Sequence, residues 1–183
     1  LGTHALPWHA QLALVLSAGV VGGFGINLGH ELGHKNTSLE RWLAKLVLAP
    51  SGYGHFFIEH NRGHHVRVAT PADPASSRMG ENFYQFWPRT VVGSARSAWQ
   101  LEVKRLARRQ HSPWSLRNDV VTAWLMSVVL FGALVTWLGV GVLPYVILQA
   151  VVGFTLLEAV NYLEHYGLLR KRVGVGEYER YER

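Results

Sequence analysis

The sequence predicts an all-α protein, a polytopic bundle of membrane helices with a histidine-rich cytoplasmic face. Three observations carry that expectation: two long uncharged apolar stretches, basic residues confined to the segments beside them, and histidines grouped at their ends. A bilayer core takes roughly 20 apolar residues of helix. Ala5 to Gly29 and Val120 to Leu157 each run without Asp, Glu, Lys or Arg. The second is long enough to cross twice, and Gly139, Gly141 and Pro144 break it near its middle, which predicts a hairpin. With 49% hydrophobic and 16% charged residues, a chain of 183 has no room to wrap such helices in a polar shell.

The Lys and Arg residues orient these spans. All 18 lie between His30 and Arg117 or after the second apolar stretch, and none falls in the Gly139 to Pro144 connection. By the cytoplasmic bias of basic loops, the first helix ends in the cytoplasm near His30, and the hairpin leaves and returns to that side. The polar segments are therefore expected to share the cytoplasmic face of the membrane. The same distribution explains the net charge of +6. Charge that flanks membrane spans meets anionic lipid headgroups, so membrane lipid is the expected partner and nucleic acid is not.

Between the spans, Leu46 to Ile58 is uncharged, too short to cross, and interrupted by Pro50, Gly52 and Gly54; it reads as a re-entrant or interfacial element. Residues 71–82 (PADPASSRMGEN) are turn-forming. Trp87 to Arg109 carries Trp99, Val103 and Leu106 at helical spacing among basic residues, the pattern of an amphipathic helix lying on the membrane surface.

Six of the ten histidines form three groups: His30 and His34 in HELGHK, His60, His64 and His65 in EHNRGHH, and His165 in NYLEHYG. Each group sits at or beyond the cytoplasmic end of an apolar segment. In an α-helix, residues four apart share a face, so His30 with His34 and His60 with His64 would each offer two imidazoles to one ion, while His65 points elsewhere. No cysteine is present, so a metal would take nitrogen or oxygen ligands, and imidazole suits iron, copper and zinc alike. His4, His9, His55 and His111 read as surface or hydrogen-bonded side chains. Glu31, Glu59 and Glu164 each adjoin a histidine, and Asn161 lies one turn before His165. These four are candidates to orient the imidazoles through their second ring nitrogen.

HELGH also satisfies HExxH, the pattern of zinc proteases in which the Glu activates water. A membrane-embedded zinc protease is therefore the alternative reading. One zinc needs only three protein ligands, which would leave His60, His64, His65 and His165 without a role. A metal transporter would place its ligands along the crossing path rather than at helix ends.

HELGHK, EHNRGHHVRVATPADPASSRMGE and NYLEHYGLL, in this order and separation, resemble the first two histidine boxes and the HYG motif of the integral-membrane alkane 1-monooxygenases, relatives of the membrane fatty acid desaturases and hydroxylases. The similarity runs over nearly the whole chain. It implies two non-haem iron ions held by His30, His34, His60, His64, His65 and His165, with no catalytic group beyond the ligands. It also implies a bacterial inner-membrane location and O2-dependent hydroxylation of the terminal methyl of n-alkanes to 1-alkanols. Electrons would come from rubredoxin, an acidic iron-sulfur protein that the basic surface around Arg89 to Arg117 would help to dock. The resemblance further places helices before Leu1 and a third histidine box after NYLEHYG, so residues 1–183 are expected to be part of such a membrane domain and inactive alone.

Overall fold

The computed structural model describes residues 6–33, 37–174 and 177–179. Three of its helices are long and apolar enough to cross a membrane: α1 (Trp8–Gly33), α6 (Asp119–Leu138) and α7 (Leu143–His165). The break in the second apolar stretch falls where Gly139 and Pro144 predict it. α6 stops at Leu138, a short 3₁₀ turn covers Val140–Val142, and α7 returns with Pro144 in its first turn, where a missing N–H costs nothing. α1 packs along α7. A Cβ on Gly19 would lie 2.6 Å from the Val152 side chain, and one on Gly153 3.2 Å from the Gly19 carbonyl, so these helices touch backbone to backbone through small residues.

Four further helices, too short or too polar to cross, complete the α content among the described residues. α2 (Ser38–Leu48) is capped by Thr37, whose hydroxyl accepts from the Glu40 N–H. α3 (Phe56–Glu59) and α4 (His65–Arg67) flank a π-helical turn, His60–His64. α5 (Phe83–Ala107) starts from a reciprocal capping box between Asn82 and Gln85. A small antiparallel hairpin, β1 (Arg172–Gly174) with β2 (Glu177–Tyr178), follows α7.

The uncharged Leu46 to Ile58 stretch forms the centre of the molecule. Leu48, Tyr53, Phe56, Phe57 and Ile58 are all buried in the main core, together with Ile26 of α1, Ala98 of α5 and Val120 of α6. Its turn dips deep along the spans. The Gln149 amide of α7 donates to the Pro50 carbonyl at 2.6 Å, and Gln149 lies about 24 Å from His165 at helical rise. Irregular backbone at such depth requires protein partners for its polar groups, and Gln149 supplies one. This is the re-entrant geometry expected of the stretch.

α5 differs from the surface helix its basic residues suggest. Phe86, Thr90, Ser94, Ser97, Ala98, Glu102 and Leu106 form a fully buried stripe facing α3 and α7, while Trp99 and Val103 are only half-buried. The stripe carries hydroxyls and a carboxylate because it covers a polar layer of protein rather than lipid tails.

Candidate metal centre

His30 belongs to the last turn of α1 and His165 to the last turn of α7. Between them stands the π-helical turn. The N–H of His65 reaches back to the carbonyl of His60, five residues before it. That wider turn changes which imidazoles meet, because side chains five apart come into register where α-helical spacing would align those four apart. His60 and His65 are 4.4 Å apart between ring centres, and His30 closes on His60 at 4.3 Å. The ligating nitrogens of His30, His60 and His65 all lie within 4.8 Å of one another. His64 turns the other way and faces His165 edge-on, 4.8 Å between ring centres. The expected same-ion pair of His60 and His64 is thus divided between two adjacent groups. Their rings remain stacked 5.2 Å apart. His34 lies outside the described residues.

Hydrogen bonds fix the proton on the second group. Asp73, fully buried, accepts from His64 Nδ1 at 2.8 Å, from the Ser76 hydroxyl at 2.5 Å and from the Ala75 N–H at 3.2 Å. Burial pushes this carboxyl up, but the three donors, His64 foremost, outweigh it and hold Asp73 below the usual carboxylate range. His165 Nδ1 lies 2.8 Å from the Asn161 carbonyl, which can only accept. Both rings therefore carry hydrogen on Nδ1, which in a neutral imidazole leaves Nε2 as the bare nitrogen.

The four orienting candidates occupy different environments. Glu31 is exposed, with its carboxylate 3.4 Å from His30 Nδ1. Glu59 is buried and paired with Arg67 at 2.7 Å; burial, only partly offset by Ser97 and Arg67, lifts its pKa to about 7. A side chain at Gly63 would run into this pair. Glu164 is exposed. Asn161 meets His165 through its backbone, while its side-chain amide donates to Glu158 at 3.2 Å.

Two buried carboxylates beside the arrangement, Asp73 and Glu158, were left unassigned by the sequence. Asp73 sits in the turn-forming PADPASSR run, where Asp reads as a turn residue. Glu158 is the residue immediately after the uncharged run. It is buried within α7, accepting from the Tyr53 hydroxyl at 2.8 Å and the Thr90 hydroxyl at 2.9 Å as well as from Asn161. Its signal was available in its position seven residues before His165, on the same helix face. His55, by contrast, stays structural: it is buried among Tyr53 and Trp124, and accepts from the Trp124 indole at 3.4 Å.

Clustered imidazoles with one set of nitrogens held bare, carboxylates close behind, and no thiolate match the donor chemistry of a nitrogen-rich metal site. Comparison with known proteins agrees with that picture. The chain is 50% identical over 178 residues to an alkane 1-monooxygenase of Pseudomonas putida, covering 97% of this chain and 44% of that protein. It is 52% identical over 168 residues to alkane 1-monooxygenase 1 of Alcanivorax borkumensis, covering 92% and 42%. A xylene/toluene monooxygenase hydroxylase component of Pseudomonas putida is 33% identical over 144 residues, or 78% of this chain and 39% of that protein. The chain therefore spans less than half the length of these relatives. The family model described as fatty acid desaturase matches residues 6–182, nearly the whole length over which the histidine groups, the re-entrant turn and the three apolar spans are laid out, and the chain belongs to that family.

Proposed function

We propose that this chain is the membrane core of a non-haem di-iron monooxygenase that hydroxylates the terminal methyl of n-alkanes with O2. The observation that carries the reading is that two neighbouring imidazole groups, His30 with His60 and His65, and His64 with His165, converge where α1 and α7 end. Two groups suit two ions better than the single zinc of a protease. His30, His34, His60, His64, His65 and His165 are the proposed ligands.

A bound iron pair would supply O2 activation and the cleavage of an unactivated C–H bond, chemistry no side chain provides. The residues of this chain do the rest. Asp73 and the Asn161 carbonyl keep the Nδ1 protons of His64 and His165 in place, so Nε2 stays available as a donor. Glu158, with both oxygens engaged by Tyr53, Thr90 and Asn161, stiffens the helix beneath His165. Apolar walls bind the alkane by burial, worth about 0.8 kcal/mol per CH2, and a slot that admits only a chain end would select the methyl.

Rubredoxin is the proposed electron donor. Arg89 is unsuited to docking it, being tied to Glu81 and to the carbonyls of Pro74 and Ser76. Lys104 in the last turn of α5 and Arg108 just after it, both exposed, are better placed. The site is proposed to face the cytoplasm.

Iron and zinc measured together in the purified full-length protein, with 1-octanol formation from octane followed under O2, test the reading. Two irons per chain and O2-dependent alcohol are expected. One zinc with no alcohol would overturn it. Reversal of charge at Lys104 and Arg108 should weaken the salt dependence of electron transfer; an unchanged dependence would remove these residues from the docking surface.

A further inference from the structure

An apolar cavity of about 710 Å³ lies between α2 and α6, and none of the clustered histidines lines it. Trp42, Leu46, Leu125, Met126, Val129 and Leu130 form its walls. Trp42 also lines a second, polar pocket of about 370 Å³, at the rim where α6 begins, so the two adjoin at one indole. That second pocket draws together Arg41, Lys45, Arg62, Arg105, Arg109 and Arg117.

These six cations outnumber the carboxylates that answer them. Asp119 pairs with Lys45 at 2.6 Å, and the buried Glu102 holds Arg62 at 2.7 Å and Arg105 at 2.6 Å. Arg41, Arg109 and Arg117 are exposed, and none of them pairs with a carboxylate among the described residues. The pocket thus keeps a surplus of positive charge at the mouth of an apolar groove. The groove has a meaningful length too. Along α6 it runs from Thr122 to Ala133, about 16 Å at helical rise, close to one leaflet of a roughly 30 Å hydrocarbon core.

We propose that this composite cleft binds one anionic phospholipid, its phosphate among Arg41, Arg109 and Arg117 and an acyl chain in the groove between α2 and α6. A basic pocket at the end of a span recognises an anionic headgroup. The adjoining 710 Å³ of apolar space distinguishes a lipid from an acidic protein, which would use the charges and leave the groove exposed. The site is separate from the histidines and does not depend on their chemistry.

Native mass spectrometry of the purified full-length protein, exchanged into phosphatidylglycerol or phosphatidylcholine of equal chain length, provides the test. Preferential retention of phosphatidylglycerol is expected. The Arg41→Ala, Arg109→Ala, Arg117→Ala triple variant, altered only at exposed positions, should lose that preference on the order of 100-fold, at roughly fivefold per basic residue. A Val129→Trp variant, which fills the groove, should lose retention with the arginines intact. Equal retention of the two lipids, an unaffected triple variant, or dihexanoyl phosphatidylglycerol held as tightly as the long-chain form would each overturn the proposal. Displacement of the lipid by an acidic electron-transfer protein would overturn it in favour of protein docking.

Discussion

His64 is gripped by Asp73 on one side and faces His165 on the other, so a single carboxylate decides which of its nitrogens is free. Asp73→Asn keeps the shape but removes the charge that enforces the Nδ1–H tautomer. Loss of such a partner commonly costs 10 to 100-fold in metal affinity; iron titration of the variant should find a loss in that range, with the fold intact by circular dichroism. His55 carries a different prediction. Burial lowers its pKa from 6.5 to about 4, so the folded protein resists its protonation, and stability declines by ~3 kcal/mol as pH falls from 6.5 to 4. Glu59 has the opposite sign: raised from 4.5 to about 7, it makes folding less favourable as pH rises through that range. The two oppose each other between pH 4.5 and 6.5. Metal-free His55→Phe loses the first contribution, so its melting temperature should fall relative to the parent's as pH is raised from 4.5 to 7. At this scale, spacing exposed the histidines because six of them crowd three short motifs. Asp73 stayed hidden because a buried acceptor and a turn residue are written with the same letter.

The elements were legible wherever composition alone determines them. α1, α6 and α7 follow from apolar length, and the hairpin break from Gly139 and Pro144. The π-helical turn was not legible. EHNRGHH reads as ordinary α-helix, and only packing reveals the extra residue that carries His60 over to His65 and leaves His64 for His165. α5 was misread as a surface helix because its charges are conspicuous, whereas its buried Thr90, Ser94, Ser97 and Glu102 look like exposed residues in a sequence. The contact between α1 and α7 offers a test at this level. Gly19→Ala puts a methyl 2.6 Å from Val152, with the Gln149 carbonyl at 3.0 Å, and the helices must part to admit it. Overpacking of this kind costs about 1–3 kcal/mol, to be read as a lowered midpoint of thermal unfolding in detergent.

Across the whole molecule, the distribution of Lys and Arg sets which ends of the spans share a side. Cysteine is absent from residues 1–183, so single substitutions there can report that arrangement once any cysteine outside them is replaced. Cysteines at Met79 and at Gly141, both exposed, should react with a membrane-impermeant maleimide from opposite sides: Gly141→Cys in intact cells, Met79→Cys only after lysis. Labelling of both from one side would overturn the topology. What no sequence pattern announced is the fastening of the loop before α5 to the end of α7. Ser77 donates to the Tyr162 carbonyl and accepts from the Gly167 N–H, Tyr162 donates to the Glu81 carbonyl, and the Gly80 N–H reaches the Tyr166 hydroxyl. These ties hold α7 at the same rim as the π-helical turn and leave the Val140–Val142 turn at its far end. A thicker or thinner bilayer is then absorbed by tilting of the hairpin from that distal end, and the spacing between His64 and His165 is insulated from the lipid in which the protein sits.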